Sequence, residues 1–147
     1  MRTRRAITDF GFRALNAVHR MVLRVSRGRV GSRAFGMPVV ILHAVGRRSK
    51  QHRDTVLTAP IVDANRVVLV ASKGGDDRHP DWYRNVLAHP SVELSIAGQR
   101  RAMHARQADH VEREVLWPRV VAAYKGYERY QRRANREIPL VVLEPDG

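Results

Sequence analysis

Cysteine is absent from the 147-residue chain. This removes disulfides, thiol nucleophiles and thiolate metal sites together, and it fits a reducing compartment. No apolar run approaches the roughly 18 to 20 residues that a membrane span needs. The N-terminus lacks the continuous apolar core of a secretory signal, so a cytoplasmic location is expected. Acidic residues are scarce: 14 Asp and Glu stand against 27 Lys and Arg, giving a net charge of +13. That imbalance implies an anionic partner, whether nucleic acid, anionic lipid or a polyanionic small molecule. The seven histidines (His19, His43, His52, His79, His89, His104 and His110) include no pair at i and i+4 around a glutamate, so no metal ligand is assigned. No serine occupies a Gly-x-Ser-x-Gly elbow, and no Gly-x-x-x-x-Gly-Lys phosphate loop occurs. Strands and helices do not alternate, which excludes a doubly wound nucleotide fold, and there is no internal repeat.

What is present divides into two parts, 1–37 and 38–147. In the first, Arg2, Arg4, Arg5, Arg13, Arg20, Arg24, Arg27 and Arg29 alternate with Ile7, Phe10, Leu15, Val18, Val22 and Val25. This spacing predicts a basic amphipathic helix over residues 1–30, which either lies on an anionic bilayer or packs on its own domain or a second subunit. Gly28, Gly31 and Gly36 then mark residues 28–37 as a linker. From Pro38 the pattern changes to short strands: 38–45, 53–62 with Pro60 at an edge or bulge, 67–71, 92–96, 99–107 and 140–143. Helices are predicted around Trp82 to Leu87 and over 109–123, where Pro118 should kink the second or split it. About six strands with peripheral helices define an α+β domain built on an antiparallel sheet or small barrel.

The chemistry concentrates in three places. Residues 71–87 begin at the end of an apolar strand and run through Ser72-Lys73-Gly74-Gly75 to a helix start near Pro80. Backbone N–H groups, an ammonium and a helix N-terminus together make an anion site, although many such loops bind nothing. Asp76 and Asp77 read as helix caps rather than catalytic acids. Arg47, Arg48, Lys50 and Arg53 around a hairpin tip, together with Lys73, could hold a phosphate and a carboxylate tail; the alternative is a solvated tip. Tyr124, Tyr127 and Tyr130 recur every third residue near the end of the late helical region and so are expected toward one face, either as a packed aromatic stripe or as hydroxyl donors to a substrate oxygen.

Val-Gly-Arg-Arg-Ser-Lys-Gln-His-Arg (45–53), Val-Ala-Ser-Lys-Gly-Gly-Asp-Asp-Arg-His-Pro-Asp-Trp-Tyr-Arg-Asn-Val (70–86), Tyr-Lys-Gly-Tyr-Glu-Arg-Tyr-Gln (124–131) and Ile-Pro-Leu-Val-Val-Leu-Glu-Pro (138–145) together resemble the deazaflavin-dependent nitroreductase family. The resemblance covers about residues 38 to 145. It implies a split β-barrel of the flavin-binding type and coenzyme F420, a deazaflavin with a phosphodiester and glutamate tail, with flavin mononucleotide the weaker fit. It further implies hydride transfer from the reduced coenzyme to a quinone, with nitroaromatics as incidental acceptors. On this resemblance, Arg47, Arg48, Arg53 and Lys73 would hold the anionic tail, while the backbone of Ser72, Lys73, Gly74 and Gly75 and the segment holding Trp82 and Asn85 line the coenzyme. Ser72 and Tyr127 would contact the acceptor, with Tyr124 and Tyr130 closing the pocket and Tyr127 orienting the acceptor or giving it a proton.

Two departures stand out. Val56-Leu57-Thr58 replaces an expected Pro-Leu-aromatic sequence, so Thr58 opens one wall, and Arg132 and Arg133 follow the tyrosines where an apolar rim is expected. A non-catalytic F420 carrier would keep every cationic residue. A nucleic-acid module would use the same charge, but no binding motif or aromatic interleaving supports it, and no nucleic-acid partner is expected.

Overall fold

The structure, a computed structural model, describes residues 33–146. The helix expected over residues 1–30, and most of the linker, lie outside the described residues. The last part of that linker belongs to the sheet. Arg33–Ala34 (β1) pairs back onto Pro38 and Met37 across Phe35 and Gly36, both at positive φ (53° and 78°).

Met37–Val45 (β2) pairs along its length with His52–Thr58 (β3), and Gly46 closes this hairpin by donating to the Gln51 carbonyl (2.8 Å). The single strand expected over 53–62 is two. Pro60 has no N–H for a ladder, the Ala59 N–H turns to the Pro38 carbonyl (2.9 Å), and pairing resumes at Ile61–Asp63 (β4). Arg66–Val70 (β5), Ser91–Ile96 (β6), Gln99–Gln107 (β7) and Leu140–Pro145 (β8) complete eight strands among the described residues, β1 and β4 being additional to the six expected.

All pairings are antiparallel, in the order β3-β2-β6-β7-β8-β5-β4 with β1 beside β2. The outermost strands, β3 and β4, are separated in sequence by Ala59 and Pro60 alone, so the sheet must curl until its two edges approach each other. This is the antiparallel α+β barrel that the strand pattern implied, in the split form that the resemblance implied.

The barrel buries two apolar clusters on opposite faces of the sheet. Val67 and Leu69 on β5 and Val141 and Leu143 on β8 face the first, with Val40, Leu42 and Leu94; Val68, Val70, Leu140 and Val142 face the second. Because β5 and β8 are covered on both sides, their sequences read as continuous apolar runs rather than alternating ones. Asp81–Ala88 (α1) inserts Trp82, Tyr83 and Val86 into the first cluster. His110–Ala123 (α2) and Gly126–Arg133 (α3) cover the second through Leu116, Val120 and Tyr127.

Pro118 neither splits nor ends α2, which runs through it as one helix. Leu116 and Val120, on either side of the proline, are both 0% exposed. Burying two such side chains contributes about 3–6 kcal/mol, enough to offset the roughly 3 kcal/mol cost of an interior proline. No helix among the described residues is long and apolar enough to cross a membrane.

Candidate active site

The segment after β5 leaves the barrel through buried Ala71 and Ser72 and then makes one tight turn, Lys73–Gly75. Lys73, Gly74 and Gly75 all adopt positive φ (47°, 64° and 85°), a conformation glycine accepts freely and lysine does not. The turn closes through Gly75 N–H to Ser72 O (2.9 Å) and Asp76 N–H to Lys73 O (3.2 Å). Helix α3 packs directly on it: a Cβ at Gly75 would lie 2.8 Å from the Tyr130 carbonyl oxygen.

Asp76 and Asp77 do not cap the following helix. Its N-cap is Pro80, extended at ψ 149° and with no side-chain cap, one residue before the first helical position. Asp76 instead accepts from the Arg78 backbone N–H (2.8 Å) and guanidinium (3.2 Å), and Asp77 accepts from the Asn135 N–H (2.9 Å). Burial opposes the charged form of Asp76, but the Arg78 hydrogen bonds outweigh it and hold the carboxyl below its usual range.

Arg136, which carried no sequence signal, clasps this whole segment. Its guanidinium donates to the carbonyls of Ala71 (3.2 Å), Ser72 (3.0 Å) and Asp76 (3.0 Å) and to His79 Nδ1 (3.1 Å). Since arginine has only donors, Nδ1 must be the accepting nitrogen of His79. Burial first, then the charges of Arg136 and Arg84, lower the His79 pKa and keep the ring neutral at neutral pH.

Between this segment, β3 and the tyrosines lies a cleft of about 590 Å³, within the usual range for ligand sites. Of the candidate residues, Thr58, Ser72, Lys73, Gly74, Trp82 and all three tyrosines line it. Sequence reasoning missed the cationic Arg78 and Arg84, as well as Phe35, whose ring packs 5.2 Å from that of Tyr124.

The tyrosines meet, but not as one helix face. Tyr124 is the C-cap of α2, while Tyr127 and Tyr130 belong to α3, so a chain turn rather than helical spacing brings their rings within 5.3, 6.1 and 6.4 Å of one another. Gly126 makes room for this turn: a Cβ there would fall 2.3 Å from the Tyr124 ring. Tyr127 is 5% exposed and its hydroxyl lies 2.9 Å from Thr58 Oγ1. Burial pushes its pKa up to about 12, against the opposing Thr58 hydrogen bond. Thr58 therefore does more than widen a wall, because it partners the most buried tyrosine.

The hairpin cations sit elsewhere. The Arg47 backbone N–H and guanidinium both donate to Asn85 Oδ1 (3.1 and 2.9 Å), tying the β2–β3 turn to α1, and Arg47 also pairs with Asp81 (3.6 Å). Asn85 is thereby committed to this clip and, like Arg47, is not part of the cleft lining. Lys50 reaches His89 (3.3 Å), and exposed Arg48 and Arg53 remain around the turn. Gly75 underlies α3 without lining the cleft. The expected convergence of Arg47, Arg48, Lys50 and Arg53 on Lys73 is thus replaced at the cleft wall by Lys73, Arg78 and Arg84.

A curled antiparallel barrel, flanked among the described residues by three α-helices and carrying a cleft beside a glycine turn, is an α+β split barrel. The sequence model of the family described as F420H(2)-dependent quinone reductase matches residues 16–145, and the chain belongs to that family. It is 38% identical over 130 residues to an F420H(2)-dependent quinone reductase of Mycobacterium tuberculosis (strain ATCC 25618 / H37Rv), spanning 86% of this chain and 87% of the relative. Among solved structures, an F420-H2 dependent reductase (FDR-A) superposes with a TM-score of 0.66 at 35% identity, over 73% of this chain and 94% of that one. A second, described as a domain-swapped dimer, gives a TM-score of 0.69 at 32% identity, over 86% and 96%.

Proposed function

We propose that this protein transfers a hydride from reduced F420 to a quinone, with Lys73, Arg78 and Arg84 facing the coenzyme's anionic tail and the Thr58–Tyr127 pair facing the acceptor. The observation that carries this reading is the composition of one cleft. Cations and the bare backbone of Gly74 line it together with hydroxyls and aromatic rings. This donor set fits a phosphodiester and carboxylates beside a flat ring system. Asp81, the acidic residue on the rim, is held by Arg47.

When bound, reduced F420 supplies two electrons as one hydride. The chain's own task is to hold donor and acceptor face to face and to stabilise the oxygen on which charge grows. Tyr127 keeps its proton through neutral pH, because its pKa lies near 12. When the Thr58 hydroxyl donates to Tyr127, the phenol's own hydrogen is left for the acceptor oxygen, and the chained bonds strengthen one another. So weak an acid orients and polarises the acceptor, while solvent provides the proton that completes the hydroquinone. Nitroaromatics present a similar oxygen and would serve as incidental acceptors.

Fluorescence titration with oxidised F420 and with flavin mononucleotide tests the role assignment. Tighter binding of the deazaflavin is expected, with Lys73→Ala weakening it by about tenfold, the loss of one charge-assisted contact. Tyr127→Phe should leave affinity nearly unchanged and lower menadione turnover by about tenfold or more. Equal loss of binding in both variants would refute the assignment.

The arginine-rich stretch before residue 31 extends the reading to the membrane, where quinones dissolve. Its charge and apolar spacing support attachment to anionic lipid. Co-sedimentation with vesicles containing phosphatidylserine, lost at high salt, is the expected result; equal partitioning to neutral vesicles would count against it.

A further inference from the structure

We infer that His43, His52 and Asp54 form a binding site for a borderline divalent cation of the Zn²⁺ type, separate from the cleft. Sequence spacing does not reveal this group, because the β2–β3 register assembles it. His43 stands opposite Asp54 and Val45 opposite His52, so all three side chains fall on one face of adjacent strands. The imidazoles stack with centroids 5.8 Å apart, and His43 Nδ1 (2.7 Å) and His52 Nε2 (2.6 Å) converge on the same oxygen, Asp54 Oδ1. The three ligand atoms lie within 4.8 Å of one another.

Two imidazoles and a carboxylate are a complete protein ligand set for zinc with a fourth position left to water. Hard ions such as Mg²⁺ prefer all-oxygen sites and would bind poorly here. A second feature separates this group from an ordinary surface hydrogen-bond cluster. The far nitrogen of His43, Nε2, lies 2.7 Å from Ser95 Oγ, the outer contact that fixes ring orientation and tautomer in metal-bound histidines.

His43 is 8% exposed and held at both ends, whereas the side chains of His52 and Asp54 are 56% and 33% exposed. Metal–nitrogen bonds of about 2.0–2.1 Å are shorter than the present N···O contacts. The ion would take the place between the rings now held by Oδ1, with His52 closing in and the carboxylate drawing back around the fixed His43. Glu93, opposite His43 on β6, is engaged by Arg100 and does not enter the set. None of the three residues lines the cleft, so the site is independent of hydride transfer.

Co²⁺ titration of the tag-free full-length protein, followed by its visible absorption and reversed by Zn²⁺, tests the inference. One saturable equivalent is expected. His52→Ala and Asp54→Ala should each weaken it by about tenfold or more, with menadione turnover by the His52→Ala enzyme unchanged. No saturable cobalt spectrum in the wild type, or an affinity retained in His52→Ala, would overturn it and leave a hydrogen-bonded cluster only.

Discussion

Gly75→Ala is expected to lower the unfolding free energy by about 2–5 kcal/mol, from about 1–2 for the left-handed backbone and about 1–3 for overpacking. Gly75 sits at φ +85°, and its absent Cβ would meet Tyr130 O at 2.8 Å and Tyr130 Cα at 3.1 Å. Neither is the end of a flexible side chain, so relief requires helix α3 to move. That helix carries Tyr127 and Tyr130, and its displacement would open the cleft as well as destabilise the fold. Gly36 supplies the control: its φ is +78°, but nothing lies within 4 Å of a Cβ built there. Urea unfolding of the two alanine variants should therefore show a smaller loss at Gly36, equal to the backbone cost alone. A Gly75 variant no less stable than the Gly36 variant would remove the claim that the turn and α3 are locked together.

Arg136→Met is the second large effect, about 2–4 kcal/mol in stability together with a clear loss of coenzyme affinity. Hydrogen bonds to a charged group contribute about 1.5–3 kcal/mol each, and the four made by Arg136 share one guanidinium and so will not add. Burial lowers the Arg136 pKa, against the attraction of Asp76 and Asp77, so water solvates this guanidinium incompletely. Its removal strands the carbonyls of Ala71 and Asp76 and leaves that of Ser72 with the Gly75 N–H alone. Amide hydrogen exchange over residues 71–79 should accelerate, and Arg136→Lys should not restore protection, since one ammonium cannot span the four acceptors. Unchanged exchange in that segment would show that the sheet and α1 alone hold it in place.

The contrast between Lys73 and Arg136 explains what could be read in the sequence. Lys73 follows an apolar strand and precedes two glycines, a local pattern with a local physical meaning. Arg136 acts across about sixty residues of chain through contacts that only the folded barrel creates. The strands were legible wherever a face alternated or a run was wholly apolar. Pro60 gave the right warning of an interrupted ladder but not a full break. Pro118 did not split its helix as one reading of it allowed, because Leu116 and Val120 anchor α2 across it.

The tyrosines were correctly grouped for the wrong geometric reason: a turn at Gly126, not one helix face, unites them. Arg47 lies outside the cleft lining because charge indicates that a side chain needs a partner without indicating which one. Asn85, distant in sequence, was that partner. His43, His52 and Asp54 escaped notice for the complementary reason, their proximity being a matter of strand register.

The most direct test mixes a catalytic amount of this protein with excess reduced F420 and menadione without oxygen, following cofactor oxidation by absorbance and hydroquinone by chromatography. Many turnovers, with one hydroquinone formed for each coenzyme oxidised, are the expected result. Tight coenzyme binding without any oxidation above the protein-free rate would contradict it, and would identify a carrier in place of an enzyme.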